Sequence, residues 1–452
     1  MTHPASRIPL AVLLLVCACK PPGEGVIALE GATLIDGSGA APTPDALLLI
    51  EHGHIRAVAH VNDVAVPRGA EVVNLAGKTI IPGLIDAHAH MERWAAARYI
   101  AWGVTTVRDM HSRADSGFTL RNDLNLAAIL GPRMFTAGAM IDGAPPTYKD
   151  ATGVATGDQA RKAVDQRAVA GADYVKIYTR ITPALLRPLM DEAATLRLLV
   201  AADLGKIDAL AAARAGVVSI EHMSGVVQAA VPNPAPYFRA HDRFLAGWTM
   251  EEAGWGRLDS GAVARTAQAL ARSPVAIVPT LVLHEMLSRL NDPTLLTRPT
   301  MADVPAWAAT VRDVPGLLKR SGWGPADFAA FRRARRRQDQ FVREFKRAGG
   351  LIAAGSDAAN PVLVPGAALH DELELLVAAG LTPLEAIGAA TRKAAQLLRA
   401  DSLGWLAPGK VADLVVLNGN PATDIAATRD IAWVMTRGRI VYPDSIRKGW
   451  PK

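Results

Sequence analysis

His88 and His90 close the stretch IIPGLIDAHAH, an apolar run that ends in two imidazoles one residue apart. On a strand, residues i and i+2 point to the same face. The two rings therefore share a face and offer nitrogen donors to one cation or one reaction centre. Four more side chains suited to metal ligation or proton transfer end other apolar runs. Lys176 ends ADYVK, Asp203 ends LLVAAD, His222 ends SIEH and Asp357 ends AAGSD. Taken singly, each is a polar cap on a strand. Together they are the donor types that hold divalent ions and activate water.

Such donors must be brought together by strands that end side by side. From about Gly83 to Arg399, strand-like runs alternate with helical segments. The runs are GLIDAHAH, GVTTVRDM, RMFTAGAM, ADYVKIYT, LRLLVAAD, GVVSIEH, VAIVPTLV and GLIAAGSD. Eight strands separated by helices predict a (β/α)8 TIM-type barrel, an α/β fold whose chemistry sits at the C-terminal ends of its strands. The helix after the last strand has a sharp start in LTPLEAI, with Thr382 as N-cap, Pro383 at the first position and Glu385 closing a capping box. Short strands and turns fill the flanks, and each flank is too small to fold well alone. The expected organisation is a barrel over 81–405 and one small β-sandwich built from both chain ends, 26–80 and 406–448.

The chain has 452 residues, of which 50% are hydrophobic and 20% charged, with a net charge of +6. That excludes a disordered chain and is long enough for a large barrel plus a smaller unit. Much of the positive charge lies in FRRARRR, as Arg332, Arg333, Arg335, Arg336 and Arg337. Phe328, Phe331, Phe341 and Phe345 recur around it at helical spacing, so the run reads as the solvated face of an amphipathic helix. It lacks the interleaved aromatics that stack bases, and no nucleic-acid partner is expected.

The first residues have a basic start at Arg7 and an apolar stretch from Ile8 to Val16, too short to span a bilayer. Residues 1–18 have the shape of a secretory signal, and the ending VCAC resembles the lipobox of bacterial lipoproteins. That resemblance implies lipidation of Cys19 and a short tether over 19–25. It also implies a cell-envelope location, on the outer membrane facing the periplasm, because Lys20 rather than Asp follows the cysteine. The alternative is a cleaved signal and a soluble periplasmic product. Cys17 and Cys19 are the only cysteines, so the mature chain has no disulfide and no cysteine metal ligand.

Five motifs in order, PGLIDAHAH, GADYVKIY, GVVSIEHMSG, AAGSDA and LAPGKVADLVVLNGNP, resemble the amidohydrolase superfamily, in its prolidase-like and imidazolonepropionase-like branch. The resemblance runs from about Val26 to Tyr442. It implies that His88, His90 and Asp357 hold one divalent metal, and that His222 and a strand-five ligand hold a second. Carboxylated Lys176 would bridge the two. An ammonium has no acceptor and cannot ligate, whereas a carbamate offers two oxygens. Two metals about 4 Å apart lower the pKa of a bridging water, and Asp357 then moves its proton to the leaving nitrogen. The implied reaction is hydrolysis of an amide, dipeptide or cyclic amide. Zinc is the commonest metal in the family, while Mn, Fe or Co suit the donors about equally. Oligomer formation is left open.

The chain departs from the family at strand five. LLVAADLGKIDAL holds no histidine, and Asp203 stands at the ligand position, 19 residues before His222. The alternative this raises is a catalytically impaired, lipid-anchored binding protein of the same fold. Tyr178, two residues beyond Lys176 on the same face, is the best substrate-contact candidate. Tyr148 and His284 are expected as loop or wall residues.

Overall fold

The computed structural model describes residues 25–450. The signal segment, Cys19 and nearly all of the tether lie outside the described residues. Eight parallel strands form the barrel: Leu84–Ala89, Val104–Asp109, Arg133–Thr136, Val175–Ile177, Val200–Ala202, Ser219–Glu221, Ala276–Val278 and Leu351–Ile352. They match the eight runs read from the sequence, in order. Strand four joins strand three where Asp173 N donates to Thr136 O at 3.0 Å. The barrel closes where Ala87 N donates to Ala354 O, 2.9 Å away, and where Ala89 bridges Ala358 in parallel. Helices cover the outside, so both strand faces are buried. Even the polar members of Val104–Asp109 are fully inside.

Both chain ends build one eight-stranded sheet, in which Leu414–Leu417 runs antiparallel to Thr79–Pro82. Alternate residues Ala46, Leu48 and Ile50 share a core with Leu414, Val416 and Met435. This is the expected sandwich. Register shifts at Glu30/Ala32 and Ala32/Leu34 bend its first strand. Gly83 links sheet and barrel, and a Cβ there would lie 2.2 Å from Thr105 Oγ1, so only glycine fits.

The capping box forms as expected: Glu385 N donates to Thr382 Oγ1 at 3.3 Å and Thr382 N to Glu385 Oε2 at 2.7 Å. The phenylalanine-spaced helix is Pro325–Arg347, with all four rings buried. One expectation for it needs correction. Arg332, Arg333 and Arg336 face solvent, but Arg335 turns inward, to Glu285 Oε2 at 3.3 Å and Asp339 Oδ1 at 3.0 Å. Two nearby carboxylates make that inward turn tolerable for a guanidinium. Among the described residues no helix is long and apolar enough to cross a membrane.

Candidate metal centre

Barrel strand one delivers His88 at its end and His90 one residue beyond. His88 Nε2 and His90 Nε2 lie 3.2 and 3.1 Å from Asp357 Oδ1, which arrives from the loop after strand eight. Three ligand atoms from these residues lie within 4.8 Å of one another. Asp357 Oδ1 is buried and has no partner in hydrogen-bond geometry, so a buried acceptor and two ring nitrogens converge on one point. Its Oδ2 accepts from Asn360 Nδ2 at 2.7 Å. Burial alone would raise the Asp357 pKa, but the His222, His88 and His90 rings, when protonated, hold it well below the usual carboxylate range. Asp357 sits at φ +56°, a left-handed conformation that aspartate tolerates better than most side chains.

The opposite ring nitrogens are anchored. His88 Nδ1 meets Glu221 Oε2 at 2.7 Å, and His90 Nδ1 meets the His111 carbonyl at 3.4 Å. Each contact is to an acceptor, so the proton sits on Nδ1 and the Nε2 lone pair is free to ligate. Glu221 Oε1 also takes Arg108 Nη2 at 2.7 Å and Ser219 Oγ at 2.6 Å. Burial would raise the Glu221 pKa, yet Arg108 and His88 outweigh it and the carboxyl is held far below its ordinary value. Behind His88, Asp86 takes both the amide and the hydroxyl of Ser356, while burial pushes it up to about 6.

His222 ends strand six, its ring centroid 4.4 Å from that of His88. Its Nδ1 meets Thr280 Oγ1 at 2.7 Å, and Thr280 gives its own proton to Pro279 O at 2.8 Å. His222 Nδ1 is therefore the donor and its Nε2 is free. Burial, then the neighbouring His88, drives the His222 pKa well down. Its Nε2 lies 3.7 Å from Asp203 Oδ2. Burial pushes Asp203 up to about 6, against the pull of Lys176 and His88. No described residue donates a hydrogen bond to the Asp203 side chain.

Lys176 is buried, and among the described residues its amine has no hydrogen bond or ion pair. Burial lowers its pKa although Asp203 and Glu221 pull the other way. A lone buried ammonium is costly, and a neutral amine is the form that takes up CO2. All six sequence-predicted donors, with Tyr178, line one open cavity of about 1190 Å³. The donor set fits divalent metal: nitrogen and oxygen atoms, three rings of fixed tautomer, one orphaned carboxylate oxygen and, among the described residues, one amine without a hydrogen-bond or ion-pair partner.

Tyr178 also belongs to an aromatic group, 5.7 Å from both Tyr148 and Phe244. Tyr148 thus lines the cavity, as a loop residue was expected to. His284 does not: it lies buried in the helix Leu281–Ser288, with Nδ1 2.8 Å from Glu252 and Nε2 3.1 Å from the His222 carbonyl. Sequence reasoning missed Glu221, Arg108 and Thr280. Opposite charges inside two short buried strands were the available signal for the first two.

Among curated proteins no sequence matches this chain. Solved structures do. A Bifidobacterium longum protein assigned as a prolidase is 26% identical, with a TM-score of 0.70 over 94% of this chain and 99% of that one. Bottromycin amidohydrolase is 21% identical, with a TM-score of 0.72 over 94% of this chain and 89% of that one. A Xaa-Pro dipeptidase with methionine bound in its active site is 20% identical, with a TM-score of 0.68 over 92% of this chain and all (100%) of that one. The model of the amidohydrolase family matches residues 79–441, a span that takes in every donor of the centre and the strands joining barrel to sheet. With that barrel, that sheet and that order of donors, the chain belongs to the amidohydrolase family.

Proposed function

We propose that the protein is a metal-dependent hydrolase that cleaves a C–N bond in a small molecule, an amide, a dipeptide or a cyclic amide. The observation that carries this reading is the convergence of His88 Nε2, His90 Nε2 and Asp357 Oδ1 on one point, with the opposite ring nitrogens anchored. His88, His90 and Asp357 would hold one divalent ion, Asp203 and His222 a second, and carboxylated Lys176 would join them. Such ions supply Lewis acidity toward a carbonyl oxygen and bring the pKa of a water toward neutrality.

The chain's own groups do the rest. Glu221 and Thr280 keep His88 and His222 in the tautomer that exposes Nε2. Asp357 accepts the attacking water's proton and passes it to the leaving nitrogen. Tyr148, Tyr178 and Phe244 make an apolar wall suited to the substrate's side chain. The names of the prolidase, dipeptidase and amidohydrolase neighbours support an amide or peptide bond as the target.

Asp203 favours a second reading, a catalytically impaired binding protein. It replaces a neutral donor by an anion, and among the described residues nothing donates a hydrogen bond to it. Metal count per chain, followed by an N-acyl amino acid and dipeptide screen, separates the two. Two metals with turnover support the hydrolase, and a metal-free, inactive parent supports the binding protein. In either case the N-terminal pattern supports a lipid anchor at Cys19, holding the protein at the outer membrane facing the periplasm.

A further inference from the structure

Behind Asp203 and His222 lies a second, smaller and partly open chamber of about 20 Å³, also lined by Thr179, Ser224, His241 and Glu251. A water molecule needs about 10–15 Å³ by this kind of measure, with two to four polar partners. Leu204, Trp248 and Trp255 supply much of the wall, but the polar groups of Asp203, His222, Ser224 and His241 also face it, and the space takes one water. His241, buried in the wall, places Nε2 3.2 Å from Glu251 Oε2, and its Nδ1 is buried without a partner. Glu251 is fully engaged: Oε1 accepts from Gly225 N at 2.7 Å and Oε2 from Gln228 Nε2 at 2.9 Å. A ring that donates from Nε2 keeps a lone pair on Nδ1, and that lone pair needs a donor. Two glycines make room for the ring. A Cβ on Gly205 would lie 2.6 Å from His241 Nδ1, and one on Gly247 would lie 2.5 Å from His241 Cγ. So the ring is clamped where it stands.

On the other side of the chamber is the contrast that matters. His88 and His222 each have a partner that orients them, whereas the Asp203 carboxylate has no donor among the described residues. We propose that the chamber is a binding site for one water molecule, which donates one proton to His241 Nδ1 and the other to the Asp203 carboxylate, and that His241 and Glu251 thereby position Asp203. The inference rests on the reading of Asp203 as a ligand of the second metal. It gives this atypical aspartate the outer support that ligating groups need.

The test uses the metal-loaded full chain and the variants His241→Leu, His241→Gln and Asp203→Ala. Competition with a chelator measures the two metal affinities, and a high-resolution crystal structure of the parent shows what fills the chamber. One isolated water should appear between His241 and Asp203. His241→Leu should weaken the second metal about 10- to 100-fold while sparing the first. His241→Gln, whose amide oxygen accepts as Nδ1 does, should restore most of the loss. A dry chamber, or a metal ion in it, overturns the proposal. So does a His241→Leu protein that holds its second metal as the parent does while Asp203→Ala loses it. If Asp203→Ala also binds the second metal normally, the ligand reading of Asp203 falls, and this inference with it. Should His241→Leu fail to fold, the parent's density decides.

Discussion

Glu221 Oε2 lies 2.7 Å from His88 Nδ1, and both side chains are buried. The same carboxylate binds Arg108 at 2.7 Å, so one buried anion neutralises a guanidinium and sets the tautomer of a metal-facing imidazole. Glu221→Ala leaves that guanidinium unpaired and should destabilise the fold by about 3–5 kcal/mol, read by denaturant unfolding. Glu221→Gln keeps the shape and loses the charge. It should fold better than the alanine variant yet bind the first metal about 10- to 100-fold more weakly. Unchanged metal affinity in Glu221→Gln would show that the carboxylate does not orient His88.

Lys176 is the one donor whose proposed role needs a covalent change. Lys176→Ala should lower both metal content and turnover, and a short carboxylic acid added to the variant should partly restore them by supplying two oxygens. Metal analysis with and without the acid checks this. A variant that holds the parent's full metal complement sinks the bridging role.

Asp203 brings negative charge where a histidine would bring none. The site should therefore bind its second metal loosely and favour oxygen-loving ions, with activity rising on added manganese. Burial pushes the Asp203 pKa up to about 6, and a proton there competes with a metal. Second-metal affinity should fall as pH drops through about 6. Asp203→His should tighten the second metal and lower the pH optimum, and Asp203→Ala should remove most activity. Rates across pH and metal titrations read all of these outcomes.

Glu372 ties the first turn of the helix Leu281–Ser288, next to Thr280, by accepting from Val282 N at 2.8 Å, while its Oε1 is buried without a partner. Burial raises its pKa from 4.5 to about 8. Between those values the folded chain keeps a proton that the unfolded chain releases. Stability from this group is therefore full below the lower value and is lost as pH rises toward the upper one. Glu372→Gln, permanently neutral, should flatten that decline. Thermal unfolding of parent and variant across the window measures it, and equal slopes would refute it.

The lipid-anchor reading predicts that the full chain fractionates with membranes and that Cys19→Ala appears in the soluble periplasm. Several acyl chains hold firmly because each buried CH2 contributes about 0.8 kcal/mol. Equal distribution of the two proteins would count against the anchor.

The six donors were legible because parallel barrel strands are buried on both faces and read as apolar runs. A polar residue ending such a run, as in SIEH or AAGSD, therefore stands out. The barrel, the sheet shared by both ends and the Thr382 cap followed from the same local patterns, since periodicity and capping act over a few residues. What holds the donors in place did not follow. Glu221 is 133 residues from His88, and Thr280 is 58 from His222. Hydrogen bonds across such separations leave no mark in spacing, because the fold alone decides which strand ends become neighbours. Arg335 reads as one cation in a solvated run, yet the packing of its helix turns it inward. Asp203 shows the division most plainly. Its place in LLVAAD announces a changed ligand. Only the tertiary structure shows that no described side chain donates to it, and that a water-sized chamber beside His241 lies behind it. Residue type and order determine which donors exist. Burial, and the meeting of distant strands, decide which of them are paired, which are left bare, and where a metal or a water must complete the set.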